Sequence, residues 1–194
     1  IYTIMGLFGI NMVSRLLGGV ILMIISPLLL ITALCILTID HTPILFKQKR
    51  VGKDNELFWI YKFRTMKNDI PDIPTDQVID PSKLYSNCGP LLRKFSLDEL
   101  PQLINIIKGD MVFIGPRPAL YNQSELIELR TKANVHELMP GITGWAQING
   151  RDAVSIPEKV ELDNYYLKNK SLGMDIKILL ITILKVVGMQ DVVH

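Results

Sequence analysis

Two adjacent carboxylates, Asp98 and Glu99, stand in the stretch Ser96-Leu97-Asp98-Glu99-Leu100-Pro101-Gln102-Leu103. Acids placed this way suit two kinds of work. Asp98 at or next to a helix N-cap, with Glu99 complementing the dipole, would simply start the helix that follows. Alternatively, a carboxylate kept ionised at a positive helix end, beside a site for an anionic substrate, acts as a nucleophile or as a metal ligand. The octapeptide leaves both open. Its neighbours supply cations: Lys62 and Arg64, Arg93 just upstream, Arg117 inside Gly115-Pro116-Arg117-Pro118, and Arg151. Gln147, Asn149 and Arg151 surround Gly150 with amide and guanidinium donors, which make either a structural turn or an anion cradle. Five cations beside two carboxylates fit a phosphate substrate, a divalent metal, and phosphoryl transfer, in which the protein supplies positioning and charge neutralisation.

These residues need elements to hold them. Leu100, Leu103, Ile104 and Ile107 follow i, i+3, i+4, i+7 spacing, which predicts a short amphipathic helix reaching Lys108, closed by Gly109, with Pro101 in its first turn. Segments 44–48 and 57–63 flank the turn-like Gly52-Lys53-Asp54-Asn55 and read as a β-hairpin, with Lys62 and Arg64 on one strand face and Phe63 between them. Residues 69–90 form a proline-rich loop long enough for a functional role. Residues 111–114 read as a short buried strand, and the rigid Gly115–Pro118 turn fixes where Arg117 points. Residues 119–132 read as a polar-faced helix, 139–145 as a constrained loop, and 157–170 as a helix with Pro157 in its first turn. In 174–187, an apolar helix, Lys177 and Lys185 share a face; it is either a helix resting on a membrane surface or an ordinary core helix.

The chain has 194 residues, enough for one domain with a real core. A net charge of +2, with no stacking pattern of aromatic and basic residues, argues against nucleic acid as a partner. Cys35 and Cys88 point to a reducing compartment rather than a disulfide framework, and His41, His136 and His194 are too scattered for a zinc motif. Leu16 to Ile39 carries no charge and as a straight helix would extend about 36 Å, against about 30 Å of hydrocarbon. Ser26-Pro27 interrupts it near the middle, where Pro27 cannot bond the Met23 carbonyl and the Ser26 hydroxyl can bond back. A kinked spanning helix and a bent hairpin entering and leaving by one face both satisfy this pattern. The basic flank from Lys47 to Lys67 places that end on the cytoplasmic side in either case.

The ordered motifs Ser26-Pro27, Phe46-Lys47-Gln48-Lys49-Arg50-Val51-Gly52, Tyr61-Lys62-Phe63-Arg64-Thr65-Met66, Ser96 to Leu103, Gly115-Pro116-Arg117-Pro118 and Pro140-Gly141-Ile142-Thr143-Gly144-Trp145-Ala146-Gln147 closely resemble the bacterial sugar transferase family. These are monotopic phosphoglycosyl transferases of bacterial inner membranes. The length is similar to that of the small single-domain members, and the catalytic part of a larger member is the other possibility. The resemblance implies an α+β, mostly helical fold: a re-entrant membrane helix broken at Ser26-Pro27 over residues 1–40, and a cytoplasmic catalytic domain over 41–194 with a short hairpin and amphipathic surface helices. It implies a ping-pong reaction in which Asp98 attacks a UDP-sugar, releases UMP, and passes the phosphosugar to a polyprenyl phosphate. Glu99 would pair with Asp98 in holding Mg2+, and Arg93, Arg117 and Arg151 would bind phosphates, with Lys62, Arg64 and Gln147 assisting. The chain differs from the family upstream of the break, where Ile10, Asn11 and Ser14 replace the usual Lys-Arg pair and Asp. Two rival readings are a noncatalytic membrane scaffold for glycan assembly and a metal-dependent nucleotide-sugar hydrolase. A homodimer formed through the apolar surfaces is also compatible with the sequence.

Overall fold

The computed structural model describes residues 4–41, 43–67, 84–150 and 154–188. Its uncharged N-terminal run forms α1 (Ile4–Cys35), which passes into a π-helical turn (Ile36–Asp40) and stops at His41, whose φ is 52°. Pro27 withholds an N–H from the Met23 carbonyl, but Ser26 Oγ donates to that carbonyl at 2.8 Å. A carbonyl left unpaired in apolar surroundings would cost roughly 2–7 kcal/mol. The hydroxyl prevents that, and the helix runs through Ser26-Pro27 as one element instead of dividing into the expected two. The helix is long and apolar enough to cross a membrane.

One side of α1 is covered along its length. Ile21, Leu22 and Ile25 join the buried Ile60, Leu103, Ile106 and Met111, and farther along Leu29, Ala33 and Ile36 pack with Phe63 and Leu92. Gly18 permits the approach, since a Cβ there would sit 3.1 Å from Ile106 Cγ2. The other side exposes Leu16, Met23, Ile24 and Leu30.

The hairpin is as expected: β1 (Leu45–Val51) pairs antiparallel with β2 (Leu57–Phe63). Its turn places Asp54 and Asn55 at φ 53° and 62°, a left-handed conformation that short polar side chains tolerate. Gln48 and Ile60 on one face are buried, whereas Lys47, Lys49 and Trp59 on the other are exposed.

The free edge of β2 is held by one side chain. Asn105, fully buried in α3 (Leu103–Lys108), accepts from the Tyr61 N–H at 3.1 Å and donates to the Trp59 carbonyl at 2.7 Å and Asp110 Oδ2 at 3.0 Å. It acts as a surrogate strand. Asn105→Leu strands two buried backbone groups and is expected to cost about 2–4 kcal/mol. For a chain of this size that lowers Tm by roughly 4–16 °C, measurable by thermal unfolding in detergent. An unchanged Tm would mean that this edge does not need the amide.

α3 ends at Gly109, as its φ of 89° requires. Of the expected stripe Leu100, Leu103, Ile104 and Ile107, Leu103 is buried, and Asn105 and Ile106 are buried beside it, because the hairpin and α1 cover the helix from different sides and leave Ile107 partly exposed. The expected loop at 139–145 contains a strand: β4 (Gly141–Thr143) pairs parallel with β3 (Val112–Ile114). The two segments meet so closely that a Cβ on Gly141 would overlap the Gly115 backbone, a proximity invisible in either segment alone.

α4 (Ser124–Lys132) starts later than the expected Ala119. The Val51 N–H donates to the Ala119 carbonyl and the Leu120 N–H to Gln123 Oε1, both at 2.9 Å, so the intervening residues run along β1 first. α2 (Gly89–Lys94) begins with Gly89-Pro90, residues expected in the preceding loop, of which 68–83 lie outside the described residues.

The C-terminal part holds α5 (Trp145–Asn149), α6 (Ile156–Asn169), which opens on a Ser155/Glu158 capping box, and α7 (Leu172–Gly188). Lys177 lies over the Trp145 ring at 5.4 Å and Lys185 donates to the Ile148 carbonyl at 3.0 Å. The two lysines share a side, and that side is turned toward α5; Leu172, Ile176, Leu180 and Leu184 are exposed. The described residues are thus mostly helical, with two small two-stranded sheets among them.

Candidate active site

Ser96, at φ 52°, redirects the chain after α2 into a 3-10 turn, Leu97–Gln102, and α3 begins only after it. Asp98 and Glu99 therefore sit inside a tight turn of their own. Neither caps α3, whose N-cap is Gln102 without a side-chain bond, so both carboxylates are available for other partners.

The turn packs against β2, which brings Lys62 to Glu99. Lys62 Nζ and Arg117 Nη2 both donate to Glu99 Oε1, at 3.1 and 3.0 Å. All three side chains are largely shielded from water. Burial alone would raise the Glu99 pKa, but the charges and hydrogen bonds of Lys62 and Arg117 hold it well below the usual range. Asp98 behaves oppositely: burial, then the charge of Glu99, pushes its carboxyl up, while Lys62, Arg93 and Arg117 act against that rise. Burial also lowers the Lys62 pKa, partly offset by Glu99. The result is one firmly ionised carboxylate beside a more basic one, with the charges of Lys62, Arg93 and Arg117 acting on the pair.

Arg93, on α2, is aimed by Thr65 Oγ1, which accepts from Nε at 3.1 Å, and lies over the Tyr85 ring at 4.9 Å. Asp40, at the end of the π-helical turn, accepts the N–H groups of Asn87 (2.7 Å) and Cys88 (3.3 Å) just ahead of α2. The end of the apolar helix thus anchors the segment leading to Arg93.

Arg117 is held through its backbone: Arg130 Nη1 donates to its carbonyl at 2.8 Å, while Arg130 Nε and Nη2 grip Asp163 Oδ2 at 3.0 and 2.6 Å. Arg50 Nη1 donates to the adjacent Pro118 carbonyl at 3.1 Å, its own head fixed by Gln48. Beside Arg117, a shallow open cleft runs past Pro116, Pro118, Asn55 and His136, whose Nδ1 is buried with no partner among the described residues.

Asp98, Glu99, Lys62, Arg93 and Arg117 therefore converge as the sequence suggests. Arg64 does not join them: although it follows the strand alternation, its Nε donates to the Pro43 carbonyl at 3.2 Å and its guanidinium lies over Phe46, which turns it away from the acids. Gln147 and Asn149 belong to α5 rather than a loop. Asn149 Nδ2 donates to the Trp145 carbonyl, and both amide atoms of Gln147 are buried without a partner among the described residues. Arg151 lies outside the described residues. Sequence reading misses Arg130, Asp163, Asp40 and Thr65, which have no local motif and act only through contacts distant in sequence.

A Mg2+ ion commonly takes one or two carboxylates and completes its shell with phosphate oxygens and water. Asp98 and Glu99 fit that pattern, since Lys62 and Arg117 both use Oε1 of Glu99. Among the described residues there is no cluster of three or more protein ligands that would hold a metal without such help.

Comparison with known proteins gives a consistent picture. The bacterial sugar transferase family profile matches residues 8–189. The uncharacterized sugar transferase EpsL of Bacillus subtilis is 46% identical over 156 residues, 79% of this chain and 76% of its own length. A UDP-glucose:undecaprenyl-phosphate glucose-1-phosphate transferase of Escherichia coli is 38% identical, covering 87% of this chain and 38% of the relative. A UDP-N-acetylgalactosamine-undecaprenyl-phosphate N-acetylgalactosaminephosphotransferase of Aeromonas hydrophila is 39% identical, covering 81% and 38%. The chain thus spans about two-fifths of the length of the latter two.

Proposed function

Since the chain belongs to the bacterial sugar transferase family, we propose that it moves a sugar 1-phosphate from a UDP-sugar to a polyprenyl phosphate such as undecaprenyl phosphate. The observation that carries this reading is the buried Asp98 beside a Glu99 already neutralised by Lys62 and Arg117. A carboxylate oxygen of Asp98 attacks the β-phosphorus of the donor. The new Asp–O–P bond forms as the bond from that phosphorus to the bridging oxygen breaks, and its electron pair leaves with UMP. An oxygen of the polyprenyl phosphate then attacks the same phosphorus, the aspartyl bond breaks, and Asp98 returns as a carboxylate. Lys62, Arg93 and Arg117 neutralise the phosphates. Mg2+, held by Asp98 and Glu99, would draw charge from the diphosphate and reduce its repulsion of the attacking carboxylate.

The membrane placement follows from α1. Arg15 Nη2 donates to the Lys108 carbonyl near one end, and Ile36 is buried with Phe63 and Leu92 near the other, about 30 Å away along the helix. A helix standing across the bilayer would force the polar part through the whole hydrocarbon thickness to keep both contacts. Contacts along the whole of one side favour an α1 held at one membrane face, as the re-entrant reading requires, over one that crosses. The basic flank from Lys47 to Lys67 supports a cytoplasmic setting for that face, at the inner membrane in this reading.

A screen for UMP release across UDP-sugars, with and without polyprenyl phosphate, tests the reaction. Lipid-linked sugar diphosphate is the expected product. Sugar phosphate delivered to water, or no UMP from any donor, would refute it.

The acidic limb of the pH–rate profile belongs to Asp98, which must be ionised to attack, and it is expected above the ordinary carboxylate range. Glu99→Gln removes the like charge and releases Lys62 and Arg117 to favour the Asp98 anion. The limb should move to lower pH even as the rate falls. A limb that stays fixed or rises would remove Glu99 as the partner that sets Asp98.

A further inference from the structure

The outward face of the hairpin has a chemistry that the active site does not use. Lys47 lies opposite Tyr61 and Lys49 opposite Trp59 in the register, and each ammonium sits 5.4 Å from the centre of its partner's ring. Lys108, from the end of α3, adds a third cation 5.3 Å from the Tyr61 ring, and also reaches Asp110 at 3.9 Å. Among the described residues neither Lys47 nor Lys49 is in an ion pair. Trp59 is 49% exposed and Leu57 58%.

This strip touches the apolar helix at both ends. Phe63 closes it against Leu29, Ala33 and Ile36 of α1, and the Lys108 carbonyl at the other side accepts from Arg15 of α1. We propose that this face, Lys47, Lys49, Trp59, Tyr61 and Lys108, rests on the anionic headgroups of the bilayer that holds α1; the inference rests on the membrane reading of α1 given above. Tryptophan and tyrosine favour the depth where hydrocarbon meets headgroups, and each lysine near an anionic surface strengthens association about fivefold. A second copy is a poorer occupant, because a two-fold contact would set the same lysines against one another. The opposite face of the hairpin carries Lys62 to Glu99. Seating the outward face on headgroups would therefore fix the active site about one sheet spacing, ~10 Å, from the layer where a lipid phosphate lies.

The experiment uses the full chain in vesicles of phosphatidylcholine with or without phosphatidylglycerol, containing lipid brominated near the headgroup end of its acyl chains. Trp59 and Trp145 are the two tryptophans, so subtracting the quenching of Trp59→Phe from that of the wild type isolates Trp59. The expected result is at least about twofold greater Trp59 quenching when phosphatidylglycerol is present, reversed by high salt and lost in Lys47→Gln/Lys49→Gln/Lys108→Gln. Three results would overturn the inference: quenching indifferent to lipid charge, Trp59 as open to acrylamide in vesicles as in micelles, or protection that grows with the protein-to-lipid ratio and so reports a second copy. Vesicle flotation separates the two readings. Protein that floats with Trp59 in water defeats this inference alone, whereas protein that does not float defeats the membrane reading with it.

Discussion

Asp98→Asn is expected to abolish sugar-phosphate transfer, lowering turnover about 10⁴-fold or more, while the protein stays folded and bound to membrane. The amide has nearly the shape of the carboxylate but no anionic oxygen to form the bond to phosphorus, so the loss falls on chemistry rather than on packing. Stability supplies an independent sign. Burial and the Glu99 charge raise the Asp98 pKa, so at neutral pH the fold carries an ionised group that it would hold more easily neutral. Asp98→Asn should therefore leave Tm unchanged or raise it. Glu99 has a lowered pKa, and its ionised form contributes stability that is present above its unfolded value and lost as pH falls through its folded one. Glu99→Gln should lower Tm. Two adjacent, nearly isosteric substitutions thus carry opposite expected signs in thermal unfolding. Mass spectrometry of wild type incubated with its donor, without acceptor, should show a phosphosugar adduct at Asp98 that the Asn variant lacks. Turnover by Asp98→Asn near the wild-type rate would end its role as nucleophile.

What the sequence discloses depends on how far apart the interacting residues lie. The hairpin is legible because alternation and a turn are local, and Gly109 can be read as a helix stop because a left-handed residue leaves a glycine signature. Asp98 and Glu99 are recognisable as a pair, but their setting is not. Apolar spacing around Pro101 looks like the first turn of one helix, whereas a left-handed Ser96 opens a separate 3-10 turn. The strand at Gly141–Thr143 escapes because its partner is Val112–Ile114, and three residues carry no periodicity. Strand alternation assigns Arg64 to the site, but the Pro43 carbonyl and the Phe46 ring, which no local pattern announces, hold its guanidinium elsewhere. The residues that aim the site leave the least trace. Thr65 directs Arg93, and Asp40 fixes the chain ahead of α2, through contacts that exist only after α1, the hairpin and α2 have come together.

Arg130 is the strongest instance, and it yields the second large effect. Its guanidinium is buried with Asp163 and also holds the Arg117 carbonyl, so one side chain joins α4 and α6 to the turn that aims Arg117 at Glu99. Asp163→Ala leaves that guanidinium buried and uncompensated, which is expected to cost about 3–5 kcal/mol. The matching fall in Tm is roughly 6–20 °C. That loss by itself would not separate support of the fold from support of the site. Replacing both partners does, because a buried ion pair exchanged for apolar side chains of similar volume is often neutral or stabilising. Arg130→Met/Asp163→Leu should therefore recover most of the Tm lost by Asp163→Ala. It should not recover transfer, since a thioether side chain cannot donate to the Arg117 carbonyl and the guanidinium over Glu99 loses its aim, a displacement worth up to about 10²-fold in rate. The deficit should appear mainly in kcat, with the acidic limb of the profile moving as Arg117 retreats from Asp98. Weaker influence of that cation leaves the carboxyl harder to ionise, so the shift is toward higher pH, opposite to that expected for Glu99→Gln. A double variant that regains both Tm and turnover would reduce Arg130 to a structural tie between α4 and α6.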